Sequence, residues 1–291
     1  MISLTPFNSL AKRLAQPGLI VAPGVHDGVS ARLADNFGFD CLYMTGYGSV
    51  ASSLGLPDAG LASYTQMVDH VSMIASAVRT PFIADGDTGY GGLLNVAHTV
   101  RGYEAAGASA IQLEDQVFPK KCGHTPNRKV IPAEDMVRKI RVAAEARSNK
   151  DFLIVARTDA RTQHGLDEAL RRAELYGKAG ADILFVESPE SEDEMRTICE
   201  RVEKPLLANM VEGGRTPVKS RIVLEQLGYR IAIFPITAML AATEAMAAVY
   251  GTLKSDGSSC DMKQPLYPFS NLSTLMGFQD VWDFERKYAE D

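Results

Sequence analysis

Eight short apolar runs, most of them closing on polar side chains, recur along this chain at 18–23, 41–46, 81–87, 110–115, 152–159, 182–188, 205–210 and 231–235. Most are continuously apolar rather than alternating, which predicts strands covered on both faces, as in a parallel sheet. Amphipathic segments lie between them. Residues 133–148 set Met136, Val137, Ile140, Ala143 and Ala144 on one stripe with charge opposite. Residues 166–182 repeat the pattern and stop at Gly180. Eight strand–helix units within 291 residues predict a single α/β (β/α)8 TIM-type barrel, with a doubly wound open sheet as the alternative. No Ser/Gly-rich tract or charge block marks a linker. The aromatic-rich stretch at 262–291 breaks the rhythm and reads as one or two helices outside the repeat. The expected division is a barrel over 1–255 and a C-terminal helical extension over 256–291.

At 46% hydrophobic residues the chain can bury a large core. A net charge of −6 argues against a nucleic-acid partner, while leaving room for an anionic small molecule gripped by local cations. The cysteines at 41, 122, 199 and 260 contain no CxxC pair, so neither a zinc knuckle nor a disulfide framework is expected, and reduced thiols in the cytoplasm fit. No signal peptide or membrane-spanning run is expected.

In such barrels the loops after the strand C-termini build the active site. The strand ends are unusually polar. They carry Tyr43, Thr45, Gly46 and Tyr47, then Asp85 and Asp87, then Glu114 and Asp115. Arg157, Thr158 and Asp159 follow, then Glu187 and Asn209. Asp85 and Asp87 are two apart, which on a strand places them on one face. With Glu114 and Asp58 they form an oxygen-only cluster that suits Mg²⁺ or Mn²⁺ rather than zinc. The competing reading is that Asp85 and Asp87 merely shape the turn at "GDTGYGG". That stretch lacks the lysine and spacing of a phosphate-binding loop. The fork of Arg157 matches a carboxylate, or forms a structural ion pair with Glu187 or Asp159. Asn209 could donate to a substrate oxygen or serve the barrel rim. Cys122 sits in a loop with Lys120, Lys121, Gly123 and His124, whose cations would favour its thiolate. A reactive and an inert thiol both remain open at this point. Cys41, Cys199 and Cys260 are expected to be small buried hydrophobes.

Taken together, "KKCGH" (120–124), "EDQ" (114–116), "DGDTGYG" (85–91), "ARTDA" (156–160), "LANMVEGGRTP" (207–217) and "GLPDAG" (55–60) resemble the isocitrate lyase/phosphoenolpyruvate mutase superfamily over nearly the whole chain. The resemblance implies a (β/α)8 barrel and Mg²⁺, with Mn²⁺ as a substitute. It also implies a homotetramer, a dimer of dimers that exchange the last helix. Asp58, Asp85, Asp87 and Glu114 match the acids that hold the Mg²⁺, some through water. Thr45, Gly46 and Tyr47 match the loop that grips a substrate carboxylate. Arg157, Glu187 and Asn209 match substrate contacts, with Gly123 and His124 beside them. Cys122 matches the thiol of the carbon–carbon lyases, carried on a gating loop, and Tyr43 is a candidate for handling the substrate hydroxyl proton.

The implied chemistry is cleavage of a 2-hydroxy dicarboxylate, such as 2,3-dimethylmalate, to a 2-oxo acid and a second carboxylate, with Cys122 as general acid. Cleavage of 2-methylisocitrate is the next alternative. It calls for an arginine after strand eight, where this chain has Leu240. Oxaloacetate hydrolysis, which uses a serine near this segment where Thr237 is the nearby hydroxyl, is also in view. So are oxaloacetate decarboxylation, carboxyphosphonoenolpyruvate phosphonomutase chemistry, and an inactive barrel that only binds carboxylates.

Overall fold

The computed structural model describes residues 9–123, 125 and 127–289. Helix α1 (Leu10–Leu14) precedes strand β1 (Ile20–Val25). There follow α2 (Gly28–Asn36), β2 (Leu42–Met44), α3 (Gly46–Leu54), α4 (Tyr64–Ala77), β3 (Phe82–Asp85), α5 (Leu93–Ala105), β4 (Ala110–Glu114), α6 (Ala133–Ala146) and β5 (Leu153–Thr158). The chain continues through α7 (Arg161–His164), α8 (Leu166–Ala179), β6 (Ile183–Val186), α9 (Glu192–Arg201), β7 (Leu207–Asn209), α10 (Arg221–Leu227) and β8 (Ile231–Phe234). It ends with α11 (Thr237–Asp256), α12 (Phe269–Leu275) and α13 (Phe278–Tyr288).

The eight strands form one parallel sheet in the order β6-β5-β4-β3-β2-β1-β8-β7. A single bridge between Leu184 and Leu206 joins its two edges, so the sheet is a nearly closed (β/α)8 barrel rather than an open one. All eight predicted strands are present. Each ends one or two residues earlier than its apolar run, except β1, which runs on to Val25.

The continuous hydrophobicity of the strands has a simple origin. Successive side chains point to opposite faces of the sheet. One set, including Ile20, Ala22, Ile83, Ala110, Val155, Phe185 and Ile231, fills the barrel interior, and α1 adds Leu10. The other set, including Leu42, Met44, Ala84, Ile111, Ile154 and Leu184, packs against helix residues such as Val71, Val100, Ile140 and Tyr176. Both faces are therefore apolar. The stripe predicted on 133–148 is real: Met136, Ile140 and Ala143 on α6 are buried. Helix α8 stops at Gly180, whose φ is 118°.

The chain beyond the barrel forms α12 and α13. Neither α11 nor α13 buries a residue within this chain, and Tyr250, Phe269, Phe278, Trp282 and Phe284 are exposed. The Nη1 of Arg32 on α2 donates to the carbonyl of Leu275 at 3.2 Å, tying α12 to the barrel. Cys41 is buried as expected. Cys199 is only half-buried and Cys260 is exposed, because the latter falls in the polar loop after α11. Among the described residues no helix is long and apolar enough to cross a membrane.

Candidate active site

The alternation that fills the barrel also loads its C-terminal mouth. Tyr43 on β2, Asp85 on β3, Gln112 and Glu114 on β4, Arg157 on β5 and Asn209 on β7 share the parity of the interior residues of their strands. Glu187 follows β6 in the same phase. A cavity of about 240 Å³ opens there, lined among others by Tyr43, Asp58, Asp85, Glu114, Cys122 and Arg157. Thr45, Tyr47, Gly123, Glu187 and Asn209 reach it as well.

The acids are arranged differently from the simple strand argument. Strand β3 ends at Asp85, and Asp87 lies in the following turn with φ 50°. The i,i+2 argument therefore does not apply. The two acids are linked instead by the backbone N–H of Asp87, which donates to Oδ1 of Asp85 at 3.1 Å. The Nζ of Lys120 stands 2.5 Å from Asp58 Oδ1 and 2.6 Å from Asp87 Oδ1. Burial alone would lower the lysine, but Asp87, Asp58, Asp85 and Glu114 hold it protonated well above its ordinary value. Lys120 thus directs its charge at the acids, rather than at the thiol two residues on. Burial raises Asp87, to about 7, against the pull of Lys120. It raises Glu114 as well, against Arg157 and Lys120.

The donor set fits Mg²⁺. Glu114 Oε1 is buried without a hydrogen-bond partner among the described residues, and Asp58 Oδ1 and Asp87 Oδ1 meet only the ammonium. No three acidic, histidine or cysteine side chains among the described residues are arranged to hold an ion directly. Hard oxygen donors spread in this way match an ion that keeps several of its waters.

Arg157 lies opposite Glu114 in the β4–β5 register. Its Nε and Nη2 donate to Asp159 at 2.9 and 3.0 Å, its Nη1 is 3.5 Å from Glu114, and its Nη2 is 3.3 Å from Glu187. The face of Phe185 lies 5.1 Å below its guanidinium carbon. Burial opposes the charge, yet the three carboxylates hold Arg157 well above its ordinary value. The structural ion pair that the sequence left open is thus present. Asp159 is shared with Arg128, which also reaches Thr162 and Ser188. Burial works against the Asp159 carboxylate, but Arg157 and Arg128 keep it below its ordinary range. The Nδ2 of Asn209 donates to Glu187 Oε2 at 3.1 Å.

Thr45 caps α3, its Oγ1 accepting from the N–H of Gly48 at 3.4 Å. The first-turn N–H groups of α3 are thereby presented where a carboxylate can be held. Glycine is required at 46, since a Cβ there would lie 2.5 Å from Oδ2 of Asp85.

The loop after β4 folds back on itself. Gln116 Nε2 donates to the carbonyl of Lys121 and its Oε1 accepts from the Lys121 N–H, both at 2.9 Å. Gln116 and Val130 form an antiparallel bridge at the loop's base. The N–H of Cys122 donates to the Asp58 carbonyl at 3.2 Å, and the half-buried thiol-bearing residue faces the cavity. His124 lies outside the described residues. Leu240 and Thr237 do not line the cavity. Leu240 is 46% exposed, and Thr237 Oγ1 donates to Glu212 at 2.8 Å. The wall there is made earlier, by Ile233, Pro235 and Ile236 at the end of β8, together with Val211.

Sequence reasoning passed over Gln112, Gln116, Lys120 as a partner of the acids, and Arg128. Only Gln112 left a local signal, as the sole polar residue inside an otherwise apolar strand whose two faces are both covered.

Comparison with known proteins places these features in a family. The sequence model described as phosphoenolpyruvate phosphomutase matches residues 10–254. A 2,3-dimethylmalate lyase of Eubacterium barkeri is 49% identical, over 95% of this chain and 96% of its own. A 2-methylisocitrate lyase of Aeropyrum pernix is 43% identical, over 97% of this chain and 89% of its own. Among solved structures, an oxaloacetate acetylhydrolase in complex with the inhibitor 3,3-difluorooxalacetate superposes with a TM-score of 0.92 at 35% identity, covering 98% of this chain and 99% of that one.

Proposed function

This chain belongs to the phosphoenolpyruvate mutase/isocitrate lyase superfamily, and we propose that within it the protein is a Mg²⁺-dependent carbon–carbon lyase acting on a 2-hydroxy dicarboxylate of the 2,3-dimethylmalate kind. The observation that carries this reading is the meeting of Cys122, Asp58, Asp85, Glu114 and Arg157 on one cavity, part of whose wall, Val211, Ile233, Pro235 and Ile236, is apolar, with Glu212 beside it. Such a wall accommodates methyl groups. No arginine or lysine of α11 lines the cavity to receive a third carboxylate.

Asp58, Asp85, Asp87 and Glu114 would hold the ion, partly through water, and Mn²⁺ would serve in its place. The ion supplies charge to polarise the 2-hydroxyl and its neighbouring carboxylate. The α3 N-terminus at Thr45, Gly46 and Tyr47 grips one carboxylate, and Arg157, oriented by Asp159, neutralises charge on the substrate beside Glu187 and Asn209. The hydroxyl gives its proton to solvent water in the cavity, and its oxygen closes to a carbonyl as the C2–C3 bond breaks. The electron pair passes to C3 as an enolate of the departing carboxylate. Cys122 delivers a proton to that carbon and its thiolate regains one from solvent water, so 2,3-dimethylmalate gives pyruvate and propionate with no net gain or loss of protons. Tyr43 stays neutral, since burial, and then Asp85, push its phenol well above the ordinary range. Its oxygen therefore meets the substrate hydroxyl as a hydrogen-bonding group rather than as a free base. Gly123 would contact the substrate from the loop that carries Cys122.

We place the enzyme in the cytoplasm, as a homotetramer in which residues 256–291 cover a neighbouring barrel. The exposed aromatic face of α13 supports that exchange.

The test is a panel of 2-hydroxy and 2-oxo di- and tricarboxylates with Mg²⁺, read by release of pyruvate, glyoxylate or oxalate. Highest kcat/KM is expected on a methylated malate, with activity lost in EDTA and restored by Mg²⁺. Preference for 2-methylisocitrate or oxaloacetate would transfer the assignment to those reactions. Binding without turnover of any compound would make the protein a carboxylate-binding barrel.

A further inference from the structure

Gln112 is fully buried in the middle of β4, inside the barrel, where an apolar residue would be expected. Its amide joins two groups of the site. The phenol of Tyr43 lies 3.0 Å from Oε1 of Gln112, and Nε2 of Gln112 lies 3.3 Å from Oδ1 of Asp85. The direction of this chain follows from chemistry alone. A carboxylate only accepts, so the amide NH₂ must face Asp85. The amide oxygen must then face Tyr43, and the phenol hydrogen must point at Gln112. Asp85 Oδ1 accepts both Gln112 and the Asp87 N–H.

Tyr43 lines the cavity together with Asp85, Arg157, Glu114 and Lys120. A phenol whose only hydrogen is committed elsewhere can offer the cavity only a lone pair. It then accepts a hydrogen bond from a hydroxyl and has nothing to donate to a carbonyl oxygen.

We propose that Gln112 is a positioning residue that locks the Tyr43 phenol as a hydrogen-bond acceptor, so that the site prefers the 2-hydroxy acid to the 2-oxo acid at that position and releases the latter once it forms. The inference rests on the lyase reading for its purpose, but not for its test. Gln112 touches Tyr43 and Asp85 and acts through them. Without its amide oxygen the phenol is free to turn its hydrogen to the cavity and bind a carbonyl, which reverses the preference.

The experiment measures binding by titration calorimetry of L- and D-lactate against pyruvate, each with saturating Mg²⁺. These lack a second carboxylate, so no cleavage intrudes. The ratio of the pyruvate to the lactate dissociation constant is the readout. Gln112→Met, which keeps the side-chain length without its polar ends, is expected to shift that ratio about tenfold toward pyruvate, the scale of one net hydrogen bond. Gln112→Glu retains an acceptor for Tyr43 and is expected to keep the wild-type ratio, while weakening Mn²⁺ binding through repulsion of Asp85. In the Tyr43→Phe background the Gln112→Met change is expected to leave the ratio unmoved. Thermal unfolding controls for folding, and if Gln112→Met does not fold, Gln112→Asn, whose shorter amide cannot span Tyr43 and Asp85, takes its place with the same expected shift and the same Tyr43→Phe comparison. An unchanged ratio in Gln112→Met, or the same shift with and without the Tyr43 phenol, overturns the proposal. A wild-type protein that shows the coupling yet cleaves no dicarboxylate would overturn the lyase reading and leave the Gln112 role standing.

Discussion

The Nζ of Lys120 lies 2.5 Å from Oδ1 of Asp58, joining the loop after β4 to the loop after α3. The same ammonium meets Asp87, so one buried cation ties together two of the four acids assigned to Mg²⁺. A cation in that place neutralises carboxylates whose mutual repulsion would otherwise disfavour the fold.

Lys120→Met should therefore destabilise the metal-free protein by about 3–5 kcal/mol, the usual cost of removing one partner from a buried ion pair. Added Mg²⁺ should recover part of that loss, because a ligand that binds only the folded state stabilises it. The rise in Tm on adding Mg²⁺ should be larger in the variant than in the wild type. Equal shifts in calorimetry would show that lysine and metal do not share the acids.

Cys122→Ser should lower kcat by about 10²–10⁴, the range of a lost general acid, with KM little changed. The serine keeps the size and the place in the loop, but is a far weaker acid. Turnover at the wild-type rate in steady-state kinetics would remove the thiol from the reaction.

Gly123→Ala tests the seating of the loop. A Cβ there would lie 2.3 Å from Nη2 of Arg157 and 2.8 Å from Oε2 of Glu187. Arg157 cannot swing aside cheaply, being held by Asp159, Glu114 and Glu187. We expect kcat/KM to fall at least tenfold while Tm moves by no more than a few degrees. A kcat/KM equal to the wild type would mean that the loop is seated elsewhere during turnover.

His70 supplies a pH dependence outside the site. Its Nε2 faces the His26 carbonyl at 2.9 Å and its Nδ1 the Ser53 hydroxyl at 3.1 Å. Burial lowers it from 6.5. The unfolded chain then takes up the proton first, so the stability is fully present above about pH 6.5 and declines as pH falls from there toward the lowered folded value. His70→Gln should flatten that part of the curve when urea midpoints are compared between pH 5 and 8. An undiminished acid-side slope in the variant would place its origin in other groups.

The barrel was legible because eight apolar runs leave few other ways to bury them, and because each strand run is too short to be a helix. The residues at the strand ends were legible for a related reason: a charged side chain closing an apolar strand must point into a mouth or a partner. That logic placed Tyr43, Asp85, Glu114, Arg157, Glu187 and Asn209 on one cavity. It misjudged Asp87, because strand periodicity says nothing once the chain has turned. Leu240 and Thr237 stand back from that cavity, whose wall is completed at Pro235 and Ile236, before α11 begins.

What the sequence determined by itself was the set of elements and the chemistry available at their ends, since both follow from local periodicity and residue type. Which charges meet was decided only by the tertiary structure. Lys120 among the acids, Arg128 sharing Asp159 with Arg157 across 29 to 31 positions, and Gln112 between Tyr43 and Asp85 are contacts between segments far apart in the chain. Burial gives such contacts their strength, because charges and amides removed from water must find one another, and only the closed barrel specifies which partners are in reach.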